Sequence, residues 1–515
     1  MALSGRLVEG LRVHTGKNEL TYVATRGDAE RPDYRSSRDR WHLVGLALLT
    51  LVLSVGTSMV FAPGGMNPDT RWQLHQVLGN EPLSDWHPAI MTITWMWIHQ
   101  LTGHASAVLY VQVLVMFGAA FGFAVYLYDV TRSRAWSFAG LLMLLAPHLF
   151  TYIGVLWKDT QMAEAFFLTV VCALLATRFE KLRWPLLIIG LLALTYGTAV
   201  RKNAFFAVLP LIWLMSSCFF VSSVRAGAKA AWRKLIDVRF IGLTAAVLVL
   251  VIGSGAVLNA IYQPLKTHQV SQVMLDDVIF SVPKKELKAA DMDPELKDKL
   301  LNAQKVCAEE NVYEDSYWRC YGRGADGIYT AIEHVDELRD VWVGMVLTRP
   351  DRYVLYRIQT FSHLMFDNYT DWDGKTLENS LGWDTKYKQV NDAAETYVEK
   401  FGVRDMPWLF TGWFWLVSPI IIIAARRHIS RLGRLARWPR LTSTVTALSL
   451  SAAVYIIGYF PIVPANHFRY VYWSALAVTM CFVMLGAAGV QAWRVHRSER
   501  NASTASASVA TSSDE

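Results

Sequence analysis

Long apolar runs alternate with short polar stretches along most of the chain. A helix needs about 20 mostly apolar residues to cross the hydrocarbon layer, and about ten runs approach that length. They cover 42–62, 105–128, 136–156, 160–176, 185–200, 204–221, 241–262, 407–425, 441–462 and 471–490. A further apolar, Trp-rich run over 89–101 is too short to span and predicts a helix lying in the interface. The pattern therefore predicts an all-α polytopic membrane protein with ten transmembrane helices. The polar segment 263–406, between the seventh and eighth runs, predicts a small and mainly helical domain. Within it, Asp293-Pro294-Glu295 has the form of a helix start. Leu296, Leu300, Ala303 and Cys307 then recur at helical spacing as a packing face. Pro350 opens another helix, with Val354, Ile358, Phe361 and Met365 expected on its packing face.

Charge orients these runs. Arg and Lys gather before the first run (Arg35, Arg38, Arg40) and then in every second connection, with blocks at 132–134, 178–183, 225–239, 426–440 and 494–500. Cytoplasmic loops carry such an excess, so both termini are expected in the cytoplasm and the loops 63–104 and 263–406 on the outer, periplasmic side. The expected division is a cytoplasmic tail 1–41, spans 1–7 over 42–262, the outer domain 263–406, spans 8–10 over 407–493, and a disordered cytoplasmic tail 494–515 rich in Ser, Ala and Thr. Composition agrees with a membrane protein, with 53% hydrophobic residues and 12% aromatics. The net charge of +7 belongs to orienting loops and does not point to a nucleic-acid partner. Of the five cysteines, Cys172, Cys218 and Cys481 lie inside apolar runs. Cys307 and Cys320 lie in the outer segment, where an oxidising compartment permits a disulfide; two free thiols are the alternative.

The candidate chemistry sits on the outer side. The stretch 63–88 holds Asp69, Arg71, His75, Glu81, Asp85 and His87 between two apolar runs. Lys158, Arg201, Lys202 and Arg469 stand at the outer ends of spans, where cations are under-represented. Such groups near a membrane are costly and tend to mark function. A mixed set of Arg forks and a Lys point charge suits a phosphate or pyrophosphate. The bland alternative for each is snorkelling or a local pair, such as Lys158 with Asp159. Asp69 has the character of a general base for a hydroxyl, or else of a turn residue or helix cap in Asn67-Pro68-Asp69-Thr70. Asp85 is either a second acid or a cap for the interfacial helix, and His87 is a donor to a phosphate or a sugar hydroxyl. A divalent cation held by Asp69, Asp85 and His87 stays open, since no spacing is diagnostic of a metal.

These residues together resemble the GT-C superfamily of integral-membrane glycosyltransferases. The resemblance rests on MNPDT after the first span, DWHP before the interfacial helix, WKD at the third-to-fourth turn, RKN after the fifth span, and HFRY before the last. It covers roughly 40–201 with some specificity and the later spans mainly by topology. It implies a GT-C-like fold that transfers a sugar from a polyprenyl-phosphate carrier to a cell-envelope acceptor on the outer face of a bacterial inner membrane. Asp69 matches the catalytic base, and Lys158, Arg201 and Arg469 match the residues that hold the lipid phosphate. Asp85, His87, Asp159, Lys202 and His467 complete the expected substrate-binding set. Asp69 is expected several ångströms from the cations, with a sugar ring between them. Two other readings remain: an oligosaccharide ligase or polymerase using a diphosphate-linked glycan, and a lipid or solute transporter, which tends to carry ionisable groups near mid-membrane.

Overall fold

The computed structural model describes residues 37–219, 238–322, 334–367 and 372–511. Arg35 and the basic block 225–237 fall outside them. Among the described residues the protein is helical, with three isolated β-bridges and no strand. The helices are α1 (Ser37–Phe61), α2 (Pro68–Val77), α3 (Ala89–Thr102), α4 (Ala107–Thr131), α5 (Arg134–Leu142), α6 (Lys158–Ala176), α7 (Arg183–Ala199) and α8 (Phe205–Phe219). After the undescribed connection come α9 (Val238–Tyr262), α10 (Val270–Ser281), α11 (Pro294–Glu309), α12 (Pro350–Phe366), α13 (Lys388–Tyr397), α14 (Gly412–Ala424), α15 (Leu441–Ile457) and α16 (Tyr472–Thr511). Shorter helical turns connect several of them.

Among the described residues seven helices are long and apolar enough to cross a membrane, so the chain is membrane-embedded by length and composition. They are α1, α4, α6, α7, α8, α9 and α16, some extended by an adjoining turn. The other three predicted spans are shorter: Arg134–Leu145, Gly412–Ala424 and Leu441–Ile457. The third departs most from expectation. Its helix stops before Pro147, which has no N–H to give and whose ring disfavours helical backbone at Ala146. Residues 151–157 then run irregularly against the first outer loop. Gly65 N–H donates to Gly154 O at 3.0 Å, and Leu156 N–H to Gly65 O at 3.3 Å. Gly154 is required there, because a Cβ would fall 2.1 Å from the Phe61 ring.

The outer segment 263–406 is not one unit. Residues from 275 to 346 build a second apolar core that also takes in Trp72 and Trp86 from the first loop. Trp86 packs on Tyr317 with ring centroids 4.9 Å apart. Trp372, Trp383, Ala394 and Val398 instead join the core of the helical bundle. The start of α11 is as expected: Asp293 caps Glu295 and Leu296, Pro294 leads, and Leu296, Leu300, Ala303 and Cys307 are buried. On α12 the expected packing face is only half right. Met365 is buried and Phe361 half-buried, while Val354 and Ile358 are 41% and 51% exposed. An ion pair decides the rotation, since Arg357 turns inward to Asp277 at 2.7 Å. Asp276 and Asp277 are therefore fully buried.

The tail corrects another expectation. The helix α16 continues to Thr511, past the boundary at 494, because no Gly or Pro interrupts the chain after Gly489.

Candidate functional site

Three cations distant in sequence meet at one end of the bundle. Lys158 opens α6, Arg201 follows α7, and Arg469 lies in the turn that leads into α16. All three line a cavity of about 100 Å³ together with Asp69, Trp86, His87, Asp315 and Tyr470. The other end of α6 lies about 28 Å away at 1.5 Å per residue. There Arg178 pairs with Asp129 at the end of α4.

Local structure explains how each group is aimed. Asn67 caps α2 by accepting from Thr70 N–H at 3.0 Å, and Pro68 takes the first helical position. Asp69 is therefore not the cap, and its carboxylate is left for the cavity. It accepts from Arg469 Nη1 at 3.0 Å, which corrects the expected separation of base and cations. One residue is short and the other long, so the guanidinium reaches across a gap set by their backbones. The pair does not seal the cavity, because both side chains line it and keep 17–18% exposure. Arg469 also lies over Trp157 at 4.8 Å and donates to Tyr470 Oη at 3.2 Å.

Lys158 turns away from its neighbour Asp159 and donates to His87 Nδ1 at 3.0 Å. Burial, with the Lys158 ammonium adding to it, lowers His87 to about 3. The ring is thus neutral, accepting through Nδ1 and carrying its proton on Nε2. Asp159, 1% exposed, pairs with Arg201. The Arg201 guanidinium also faces Tyr459 and Tyr470 at 5.6 and 5.3 Å, and its Nε donates to Asn203 at 2.8 Å. Burial is the largest single influence and lowers this charge's pKa, but the Asp159 carboxylate together with Tyr459, Tyr455 and Tyr470 outweighs it, holding Arg201 above its ordinary value.

No family model, curated protein or solved structure matches the chain. The site therefore stands on its own geometry.

Two cavities adjoin the central one. On one side, a space of about 230 Å³ shares Lys158 and Arg201 and adds Lys202, Val270, Tyr459 and Ile462. On the other, a pocket of about 470 Å³ shares Asp315 and Arg469 and includes His467. His467 lies 3.5 Å from Asp373 and accepts from Arg469 N–H.

Asp85 is the clearest miss. It neither lines the cavity nor caps α3, whose cap is Pro88. Its Oδ1 accepts from Thr267 N–H and Oγ1–H, each at 2.7 Å, because the loop before α10 crosses it there. Asp85 ties the first loop to the outer domain. The divalent-cation set left open from the sequence does not converge: Asp69 faces Arg469, Asp85 faces Thr267 and His87 faces Lys158. Among the described residues the one convergent His and carboxylate group is Asp293, Glu295 and His334, none of which lines the cavity.

Cys307 and Cys320 are bridged, with Cα atoms 5.2 Å apart. Their loop carries Asp315 and Trp318, which line the central cavity and were not singled out from the sequence. The pair of cysteines bracketing them was the available signal. Trp157 and Tyr470 were also missed, although each is a direct neighbour of a cation that was chosen.

Proposed function

We propose that the chain is a membrane glycosyltransferase. It moves a sugar from a polyprenyl-phosphate carrier to a cell-envelope acceptor at the outer face of a bacterial plasma membrane. Its ten helical segments cross that membrane with both termini in the cytoplasm. The observation that carries this reading is the convergence of Lys158, Arg201 and Arg469 with one carboxylate, Asp69, on a single cavity. A phosphate needs such cations at the membrane surface, and an acceptor hydroxyl needs a base.

Arg469 links the two tasks. Without donor it holds Asp69; an arriving phosphate competes for the guanidinium and releases the carboxylate. In the transfer, the acceptor oxygen forms a bond to the sugar anomeric carbon and its proton passes to Asp69. The bond from that carbon to the phosphate oxygen breaks, its electron pair stays on the phosphate, and the three cations stabilise the added charge. The small cavity suits a single phosphate.

The test uses the full-length protein in nanodiscs with a radiolabelled polyprenyl-phosphate-linked sugar. Label should move to an envelope extract with release of polyprenyl monophosphate. A parallel reaction is offered a diphosphate-linked glycan: transfer from that donor alone, with release of polyprenyl diphosphate, would establish the ligase reading instead, and failure to bind either lipid would end both.

One observation favours transport. Glu164, 7% exposed, lies within α6 on an apolar cleft of about 380 Å³, and its Oε2 has no hydrogen-bond partner. Glu164→Gln separates the readings: a glycosyltransferase keeps its transfer rate, while a transporter coupled through this carboxyl loses flux.

A further inference from the structure

The 470 Å³ pocket beyond the Asp315–Arg469 partition has no part in holding a lipid phosphate, and its size lies in the range of about 300–1,000 Å³ typical of small-ligand sites. One wall is the disulfide-closed loop, with Glu310, Tyr313, Glu314, Asp315 and Arg319. The facing wall is the end of α12, with His363 and Asp367, and the chain 465–469 that leads to Arg469.

The pocket is pre-formed. The Cys307–Cys320 bridge closes the loop at its base. Asp276 accepts from Ser316 N–H at 2.8 Å, and Gln272 Nε2 donates to Asp315 at 3.1 Å. Glu314 accepts from Asn466 N–H at 2.6 Å, which locks the loop to the facing wall. Its other oxygen, Oε2, is buried without a hydrogen-bond partner. A wall fixed in this way loses little entropy when a ligand arrives.

Its chemistry is mixed. Glu310 and Asp367 oppose an anion and Arg319 with Arg469 opposes a polycation, while burial pushes Glu314 and Asp315 toward their neutral forms. Tyr313 is 49% exposed and lies nearly parallel to His363, at 11°. A neutral sugar meets all of these conditions. Its hydroxyls both donate and accept, and its C–H face rests on an aromatic ring.

We infer that this pocket binds the acceptor as a neutral oligosaccharide and presents one hydroxyl across the Asp315–Arg469 partition to the central cavity. The inference rests on the glycosyltransferase reading for the direction of transfer, while oligosaccharide binding can be measured without it.

The experiment uses the full-length protein in nanodiscs. Saturation-transfer NMR is recorded with neutral manno-, galacto-, gluco- and arabino-trisaccharides as probes, alongside binding of polyprenyl phosphate. At least one trisaccharide should bind. Tyr313→Ala and Glu310→Gln, neither of which lines the central cavity, should each weaken it about tenfold. Tyr313→Phe keeps the ring and should keep the affinity, which separates a lost contact from a damaged loop. Polyprenyl phosphate binding should stay within about twofold in every variant. If no trisaccharide binds, if Tyr313→Ala binds as the wild type does, or if oligolysine or oligoglutamate takes the pocket instead, the inference is overturned. Trisaccharide binding without polyprenyl phosphate binding would leave the pocket standing and remove the donor reading.

Discussion

Among the described residues two Arg–Asp pairs are buried, and they are built almost alike. Arg357 and Asp277 lie in the outer domain with both side chains fully buried, and the guanidinium faces Tyr353 and Tyr356 at 5.6 and 5.3 Å. Arg201 and Asp159 lie at the end of the bundle with side chains 8% and 1% exposed, facing Tyr459 and Tyr470 at the same two distances. The contrast is in what lies beyond. Arg357 also donates to Val463 O and Val273 O, while Arg201 stands in the walls of two cavities. A buried ion pair by itself is therefore a poor sign of function. Open space beside the cation separates a binding group from a rivet.

The largest effect belongs to the open side. Asp69→Asn should lower sugar transfer by about 10²–10⁴-fold while polyprenyl phosphate still binds, as measured by rate and by equilibrium binding on one preparation. Full activity in that variant would move the base elsewhere and weaken the contrast. The sealed side should answer in stability. Arg357→Met leaves Asp277 buried and unpaired, at a cost of about 3–5 kcal/mol in denaturant unfolding. The double change Asp277→Leu with Arg357→Met should recover most of that loss and leave transfer intact. Cleaving the Cys307–Cys320 bridge by Cys320→Ser should cost about 3 kcal/mol, read as earlier proteolysis of the outer domain.

The double change Asp159→Leu with Arg201→Met should fold yet bind polyprenyl phosphate about ten to a hundred times more weakly, matching one lost charged hydrogen-bonding group. If the two double variants behave alike, the distinction between rivet and binding group collapses. The smallest effect is one of pH. Burial raises Asp276 to about 7, well above its ordinary value. A raised carboxyl favours its protonated folded form, so stability is fullest below about pH 4 and declines as pH climbs toward 7. Thermal unfolding of the outer domain should come at a higher temperature at pH 5 than at pH 8.

The helices were legible because the apolar runs are long and the basic blocks alternate. Segment ends were less so: Pro147 stops a run whose composition alone would carry it on to Leu156. The cations Lys158, Arg201 and Arg469 were readable because each stands at the end of an apolar run opposite the ends that carry the basic blocks. Their partners were not, since Asp69 meets Arg469 across some 400 positions and no local spacing records that. Asp85 misled because an acid two residues before a histidine looks like chemistry, whereas its work is to hold Thr267. Asp315 sits among ordinary polar residues, and only the closed loop places it at the cavity.

Trp72 and Trp86 belong to a core whose other members are made some two hundred residues later. A ribosome adds about 5–20 residues per second, so the first loop waits on the order of ten to forty seconds for its partners. Through that interval two large apolar rings lack the core that covers them in the finished fold. Biogenesis is thus paced by the arrival of residues 275–346, and cells short of the factors that shield such surfaces should lose this protein early.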